Sequence, residues 1–246
     1  MKDHLFRFYQ QIKSFSYRLI LWFINHKIKA LFLFTSFFIL IFLSLFIFRP
    51  NPAIENITLS NLTDRSVTIS WKTSVPTTGE IVIQKQNKFA FLPQNGVLDD
   101  HLKYFKKDIP LDLHHITLTG LSPDSQYFFK IYNGIWQSRI YKVRTLPTNR
   151  INNLPNPVYG HVSLSDHQTP AVGVVVYLIL SENKRNLTLS TLTNSKGNYS
   201  LDFNTSEFKN PKMQIFVEAG RRGNIKAAIS KTKMNPIPDI VLPYKK

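Results

Sequence analysis

Cysteine is absent from the 246 residues. Disulfide, haem and thiolate chemistry are therefore excluded, and any exported domain must hold together through its sheets alone. Several catalytic signatures are missing as well. The chain has no glycine-rich phosphate loop, no Gly-x-Ser-x-Gly nucleophile elbow and no His-Glu-x-x-His. Acidic residues are scarce: 15 Asp and Glu stand against 31 Lys and Arg, a formal net charge of +16. None of these absences leaves an enzyme or a cofactor visible.

What the chain does have is one long apolar run, residues 30–48, ALFLFTSFFILIFLSLFIF. As a helix this stretch reaches about 28 Å, close to the hydrocarbon thickness of a bilayer. Its only polar members, Thr35, Ser36 and Ser44, can return their hydroxyls to carbonyls one turn back. A buried helix of a soluble core is the alternative, but such helices keep a polar stripe. The run predicts a transmembrane helix whose partner is the lipid bilayer.

Lys2, Arg7, Lys13, Arg18, Lys27 and Lys29 precede the run, opposed by Asp3 alone. Positive charge stays on the cytoplasmic side, so the amino terminus is expected inside and the segment after residue 50 outside. The apolar region is longer than that of a cleaved signal peptide and no small-x-small site follows it, which favours an uncleaved signal-anchor. Residues 1–29 mix aromatic and basic residues, as in an interfacial amphipathic helix or an ordinary cytoplasmic flank. Beyond residue 50 the balance remains basic by about ten charges, which fits solubility and a Lys- and Asn-rich residue usage first, and an attraction to polyanionic envelope glycans or headgroups second. An outward-facing location argues against nucleic acid.

Arg49-Pro50-Asn51-Pro52 ends the helix, and from Ile54 the pattern changes to period two. Val67, Ile69 and Trp71 share one face of a strand, with hydroxyls on the other. Tyr127, Phe129 and Ile131 repeat the device. Seven short strands over residues 52–146, separated by turn residues, predict a β-sandwich. Ile69-Ser-Trp71 and Leu121-x-Pro123-x-x-x-Tyr127 resemble a fibronectin type III domain, the second motif being similar to that family's tyrosine corner. Ser74 to Glu80 and His115 to Leu121 are closer to the variety that precedes purple acid phosphatases. The resemblance implies structural roles for Trp71, Leu121, Pro123 and Tyr127. In that enzyme family the metals are held further along the chain by Gly-Asp and Gly-Asn-His-Glu motifs, and nothing after Thr145 resembles them. His114 and His115 invite a metal reading, but neighbours on a strand point to opposite faces.

Residues 84–113 are long for a connection between strands. They carry Phe89, Phe91, Tyr104 and Phe105 beside lysines that include Lys106 and Lys107. This mixture is a candidate surface for a glycan, a polyanion or a partner protein. The alternative is that the aromatics cover a sandwich edge or the next domain. Residues 147–156, polar and proline-rich, predict a linker with two domains in series as a semi-stiff stalk.

Alternation returns over residues 157–243, with an apolar run from Val174 to Leu180 and a hairpin expected between Leu187 and Phe203 through Asn194 to Gly197. Val158-Tyr-Gly160, Thr169-Pro-Ala171 and Thr191 to Leu201 resemble a carboxypeptidase regulatory-like (transthyretin-like) domain, which implies a non-catalytic accessory sandwich. Arg221 and Arg222 form a basic tip, either a phosphate or uronate contact or a solvated turn.

The expectation is an all-β chain: two tandem β-sandwiches behind a single transmembrane helix, in a bacterial cell-membrane protein. Its expected work is non-catalytic, in adhesion or envelope scaffolding through a glycan or membrane-protein partner. The alternative is an accessory subunit of a secretion, pilus or envelope enzyme complex.

Overall fold

A computed structural model describes residues 27–47, 52–90, 95–105, 109–134, 136–148, 156–202, 208, 210–229 and 235–243. Residues 1–50 and 51–246 form two compact units.

In the first unit, helix α1 (Lys27–Ile47) covers most of the apolar run. Its side chains are described from residue 31 to 44, and Leu31 to Leu43 expose their large apolar groups on every side of the helix. Among the described residues no helix is long and apolar enough to cross a membrane. Thr35 Oγ1 donates to the Leu31 carbonyl at 3.0 Å and Ser44 Oγ to that of Ile41 at 2.8 Å. Phe48 and the basic flank before Lys27 lie outside the described residues.

The second unit begins with β1 (Ile54–Ser60), β2 (Val67–Thr77), β3 (Gly79–Gln84), β4 (Val97–Leu98) and β5 (Leu111–Leu118). β6 (Gln126–Asn133), β7 (Trp136–Gln137) and β8 (Tyr141–Arg144) complete the first sandwich. One sheet runs β1-β2-β5, the other β4-β3-β6-β7 with β8 also on β6. Between them lie Val67, Ile69, Trp71, Ile116, Phe129 and Ile131. Alternation put those side chains on one face, and burying them together drives the closure. At the corner before β6, Leu121 is buried and the Tyr127 phenol accepts the Ser122 N–H at 2.8 Å, while Ser125 Oγ donates to the Pro123 carbonyl.

The second sandwich comprises β9 (Pro157–Ser163), β10 (Val175–Glu182), β11 (Arg185–Leu192), β12 (Asn198–Asp202), β13 (Lys212–Glu218), β14 (Asn224–Ile229) and β15 (Ile240–Val241). Its sheets run β11-β10-β13-β14 and β12-β9-β15, with β15 parallel to β9. Val176, Leu178 and Leu180 face the core between them.

Two expectations are corrected. β11 and β12 do not pair as a hairpin: β11 lies on β10 and β12 on β9. Gly197, at φ +75°, still makes the turn, but Thr193 leaves the first sheet there. Its hydroxyl meets the Ala171 carbonyl and the Val174 N–H, so the turn carries the chain across the sandwich. Nor do the sandwiches stand in series on a hinge. The sheets β1-β2-β5 and β11-β10-β13-β14 share a buried face in one unit, around Leu113, Val175, Tyr177 and Leu192. This explains the unbroken apolar run of β10: Val176, Leu178 and Leu180 serve its own core, while Val175 and Tyr177 serve the seam.

Candidate functional site

The seam is where this chain concentrates its buried polar groups. Alternation alone would turn the hydroxyl face of β2 toward solvent, yet Thr68 and Ser70 are fully covered, as are Ser60 and His115. Burial of such groups costs free energy unless each finds a partner. They do. Ser60 Oγ lies 2.6 Å from Ser190 Oγ, Ser70 Oγ 2.6 Å from the Tyr177 phenol, and His115 Nε2 3.0 Å from Ser190 Oγ. Asn61, in the left-handed region at φ 49°, donates through Nδ2 to the Ser190 carbonyl and accepts the Ser190 N–H. Its own N–H donates to the Thr188 carbonyl at 3.0 Å. Burial pushes the Tyr177 phenol up to about 12, so it remains neutral.

A second clasp comes from the long insertion. Asp99 caps the 3-10 turn Asp100–Lys103 by accepting the His101 N–H at 3.0 Å. Asp99 also takes Nδ1 of His101 at 2.6 Å and Nδ1 of His114 at 2.8 Å. Burial alone would raise this carboxyl, but the hydrogen bonds from the two histidines overcome it and hold it well below the ordinary carboxylate value. His101 Nε2 then reaches across to the Gly173 carbonyl at 2.8 Å. His101 thus bridges the Asp99 carboxylate and the Gly173 carbonyl. Gly173 sits at φ +65°, and a Cβ there would come within 3.2 Å of the His101 and Phe105 rings. Only glycine allows this approach.

His114 and His115 indeed diverge. His114 stacks on Trp71 at 4.7 Å in the first core, whereas His115 enters the seam with its Nδ1 3.3 Å from Asp100. Among the described residues no group of three His, Asp or Glu side chains is arranged to hold a metal.

The candidate residues from the sequence do not form one surface. Phe89 is half-buried under Lys130, and Phe105 lies half-buried on His101 at the seam, whereas Tyr104 is exposed. Phe91, Lys106 and Lys107 lie outside the described residues. The Arg221 N–H donates to Asp112 at 2.6 Å and its guanidinium to the Ser74 carbonyl, while Arg222 donates to the Val172 carbonyl. The basic tip thus leans on the first sandwich, and Phe105 and Arg222 both reach the Val172–Gly173 backbone.

At one end the seam opens. Pairing of β1 with β2 slips between Glu55 and Thr58, with Asn56 at φ 52°. This bulge parts the sheets around a cleft of about 450 Å³. Tyr177 and Phe216, stacked at 5.8 Å, line it with Leu113 and Trp71. Lys72 Nζ and Glu218 Oε1 stand 3.5 Å apart in it. Burial raises the Glu218 carboxyl, Lys72 pulls it back, and the net shift is upward. Sequence reasoning placed Glu218 at an ordinary strand position. Its role depends on β13 meeting β2, a contact that no local pattern announces. A smaller hollow of about 200 Å³ opens on the first sandwich beside Glu80, Leu98, His114 and Tyr132.

Fold and seam together define a pair of β-sandwiches joined face to face, the first of them fibronectin III-like. Residues 54–145 match the family described as Purple acid Phosphatase, N-terminal domain. No curated protein matches the chain. Solved structures with some likeness include a structure of PhoD, 14% identical over 48% of this chain with a TM-score of 0.30, of which this chain spans 23%. The chicken CNTN1 FN1-FN3 domains are 16% identical, covering 72% of this chain and 64% of that one, with a TM-score of 0.26. A two-domain fibronectin type III segment of chicken tenascin is 12% identical, covering 72% and 99%, with a TM-score of 0.26.

Proposed function

We propose that this chain is a non-catalytic, membrane-anchored scaffold that presents two β-sandwiches outside the cytoplasmic membrane for adhesion or envelope-protein interaction. The observation that carries this reading is the hydrogen-bonded seam. A hinge would let the domains reorient, whereas a seam of satisfied buried polar groups fixes their surfaces at one spacing. Asp99, His101 and His115 are engaged in holding that seam together.

The anchor is argued from α1. A helix apolar on all sides is stable when lipid or protein covers it, and its hydroxyls are already turned back onto its own carbonyls. The basic residues before it set the amino terminus inside. The second sandwich is read as the carboxypeptidase regulatory-like kind, an accessory domain. The basic surplus beyond residue 50 favours an acidic envelope glycan as the adhesion partner.

The full chain is to be extracted from membranes with alkaline carbonate, then tested in nanodiscs for retention on envelope polysaccharide and for capture of membrane proteins at two salt concentrations. The expected result is a carbonate-resistant protein that holds polysaccharide in a salt-sensitive manner. Capture of one defined membrane protein without polysaccharide would replace adhesion by an accessory-subunit role. Release into the carbonate supernatant would remove the anchor.

A further inference from the structure

The cleft at the β1 bulge has features that the seam does not need. A seam whose only task was rigidity would be zipped along its whole length, as it is around Ser60, Ser70 and Ser190. Here the sheets part instead, leaving about 450 Å³, within the range of roughly 300–1,000 Å³ seen for small-ligand sites and at a domain boundary where such sites concentrate.

We infer that this cleft binds a neutral saccharide unit. The assignment adds a site for uncharged sugar units to the glycan-binding role proposed above, whose charged units the basic surface would meet, and it rests on that role. The stacked Tyr177 and Phe216 rings give an aromatic wall suited to the apolar C–H face of a sugar ring. Beside this wall stand a donor and an acceptor, the Lys72 ammonium and the Glu218 carboxylate. An ammonium carries three donors and a carboxylate several lone pairs, so their single contact at 3.5 Å leaves both with capacity for ligand hydroxyls. Glu218 is fixed in place, because the Gly220 N–H donates to its Oε1 at 3.1 Å. Asn56 and Thr58 supply further polar groups at the bulge.

Charge and polarity decide against the other small ligands. The Lys72 and Glu218 charges cancel, and Arg221 offsets Asp112 nearby, so an acidic sugar or a phosphate finds no net positive charge in the cleft. A hydrocarbon chain would strip water from the ion pair without replacing its hydrogen bonds. A hydroxylated ring with one apolar face satisfies both walls.

The test titrates the full chain in nanodiscs with the neutral disaccharides chitobiose, cellobiose and maltose, and with digalacturonate. Calorimetry is paired with fluorescence of Trp71, which lines the cleft. At least one neutral disaccharide is expected to bind saturably, and digalacturonate at least tenfold more weakly. Phe216→Ala and Lys72→Met should each weaken binding at least tenfold, and the volume-conserving Glu218→Gln should do so while keeping a cooperative thermal melt. Lys196→Ala, exposed in the turn before Gly197, should change nothing. Absence of saturable binding, equal binding by the cleft variants, or digalacturonate binding as tightly as the neutral sugars would each overturn the assignment. If polysaccharide is retained equally by wild type and cleft variants, the cleft falls while the adhesion reading stands. If disaccharides bind through the cleft but no polysaccharide is retained, adhesion falls and the cleft stands.

Discussion

Each sandwich closes mainly around aliphatic side chains, among them Val67, Ile69 and Ile116 in the first and Val176, Leu178 and Ile215 in the second. The face the sandwiches share is met instead by Ser60, Thr68, Ser70 and His115 on one side and by Tyr177 and Ser190 on the other. Apolar packing is non-directional and tolerates small rotations, so it supplies stability without dictating one orientation. A set of buried hydrogen bonds is satisfied in one arrangement only. The cores make two domains, and the seam makes them one body.

Breaking the comparison begins where the seam is most costly to disrupt. Asp99→Ala leaves His101 and His114 without their acceptor and is expected to cost about 3–5 kcal/mol in urea unfolding of the detergent-solubilised chain. Ile69→Ala in the first core should cost about 2–5 kcal/mol through lost burial and the cavity left behind, with the seam unchanged.

Ser70→Ala is smaller, about 1–3 kcal/mol, because it takes from the buried Tyr177 hydroxyl its partner at 2.6 Å. Adding Tyr177→Phe should recover most of that loss, since removing both partners removes the unsatisfied group. If the double variant is no better than Ser70→Ala, the hydrogen bond is not what stabilises this contact.

The last prediction sharpens the contrast within the seam through pH. Asp99 is held below its ordinary value, so the native state binds fewer protons than the unfolded chain. Its contribution is present above the unfolded carboxylate value of about 3.9 and is lost as pH falls below it. Glu218 is raised, so the native state favours its protonated form, and stability from this group declines as pH rises from its ordinary value through its folded one. Unfolding measured from pH 3 to 7 should therefore show a shallower acid limb in Asp99→Asn and a steeper one in Glu218→Gln.

Legibility in the sequence followed the range of the interactions. Period-two alternation placed Val67, Ile69 and Trp71 on one face because a strand imposes that spacing locally. Leu121, Pro123 and Tyr127 marked their corner because the phenol bonds to a backbone group only five residues away. The hairpin expected after β11 failed because Gly197 specifies a turn, not the sheet that the next strand joins. The stalk failed because hydroxyls on β2 look alike whether they face water or Ser190 and Tyr177.

By itself the sequence determined that there are two sandwiches, which faces fill their cores, where the long apolar helix lies, and that no cysteine chemistry takes part. The tertiary structure alone decided that the sandwiches share a face, that Asp99 gathers His101 and His114 and ties one domain to Gly173 of the other, and that Lys72 meets Glu218 in a cleft. The reason is distance along the chain. Ser60 and Ser190 are separated by 130 residues, and Lys72 and Glu218 by a similar span. Such pairs leave no periodic trace, because each partner needs only to be polar and the fold supplies the meeting.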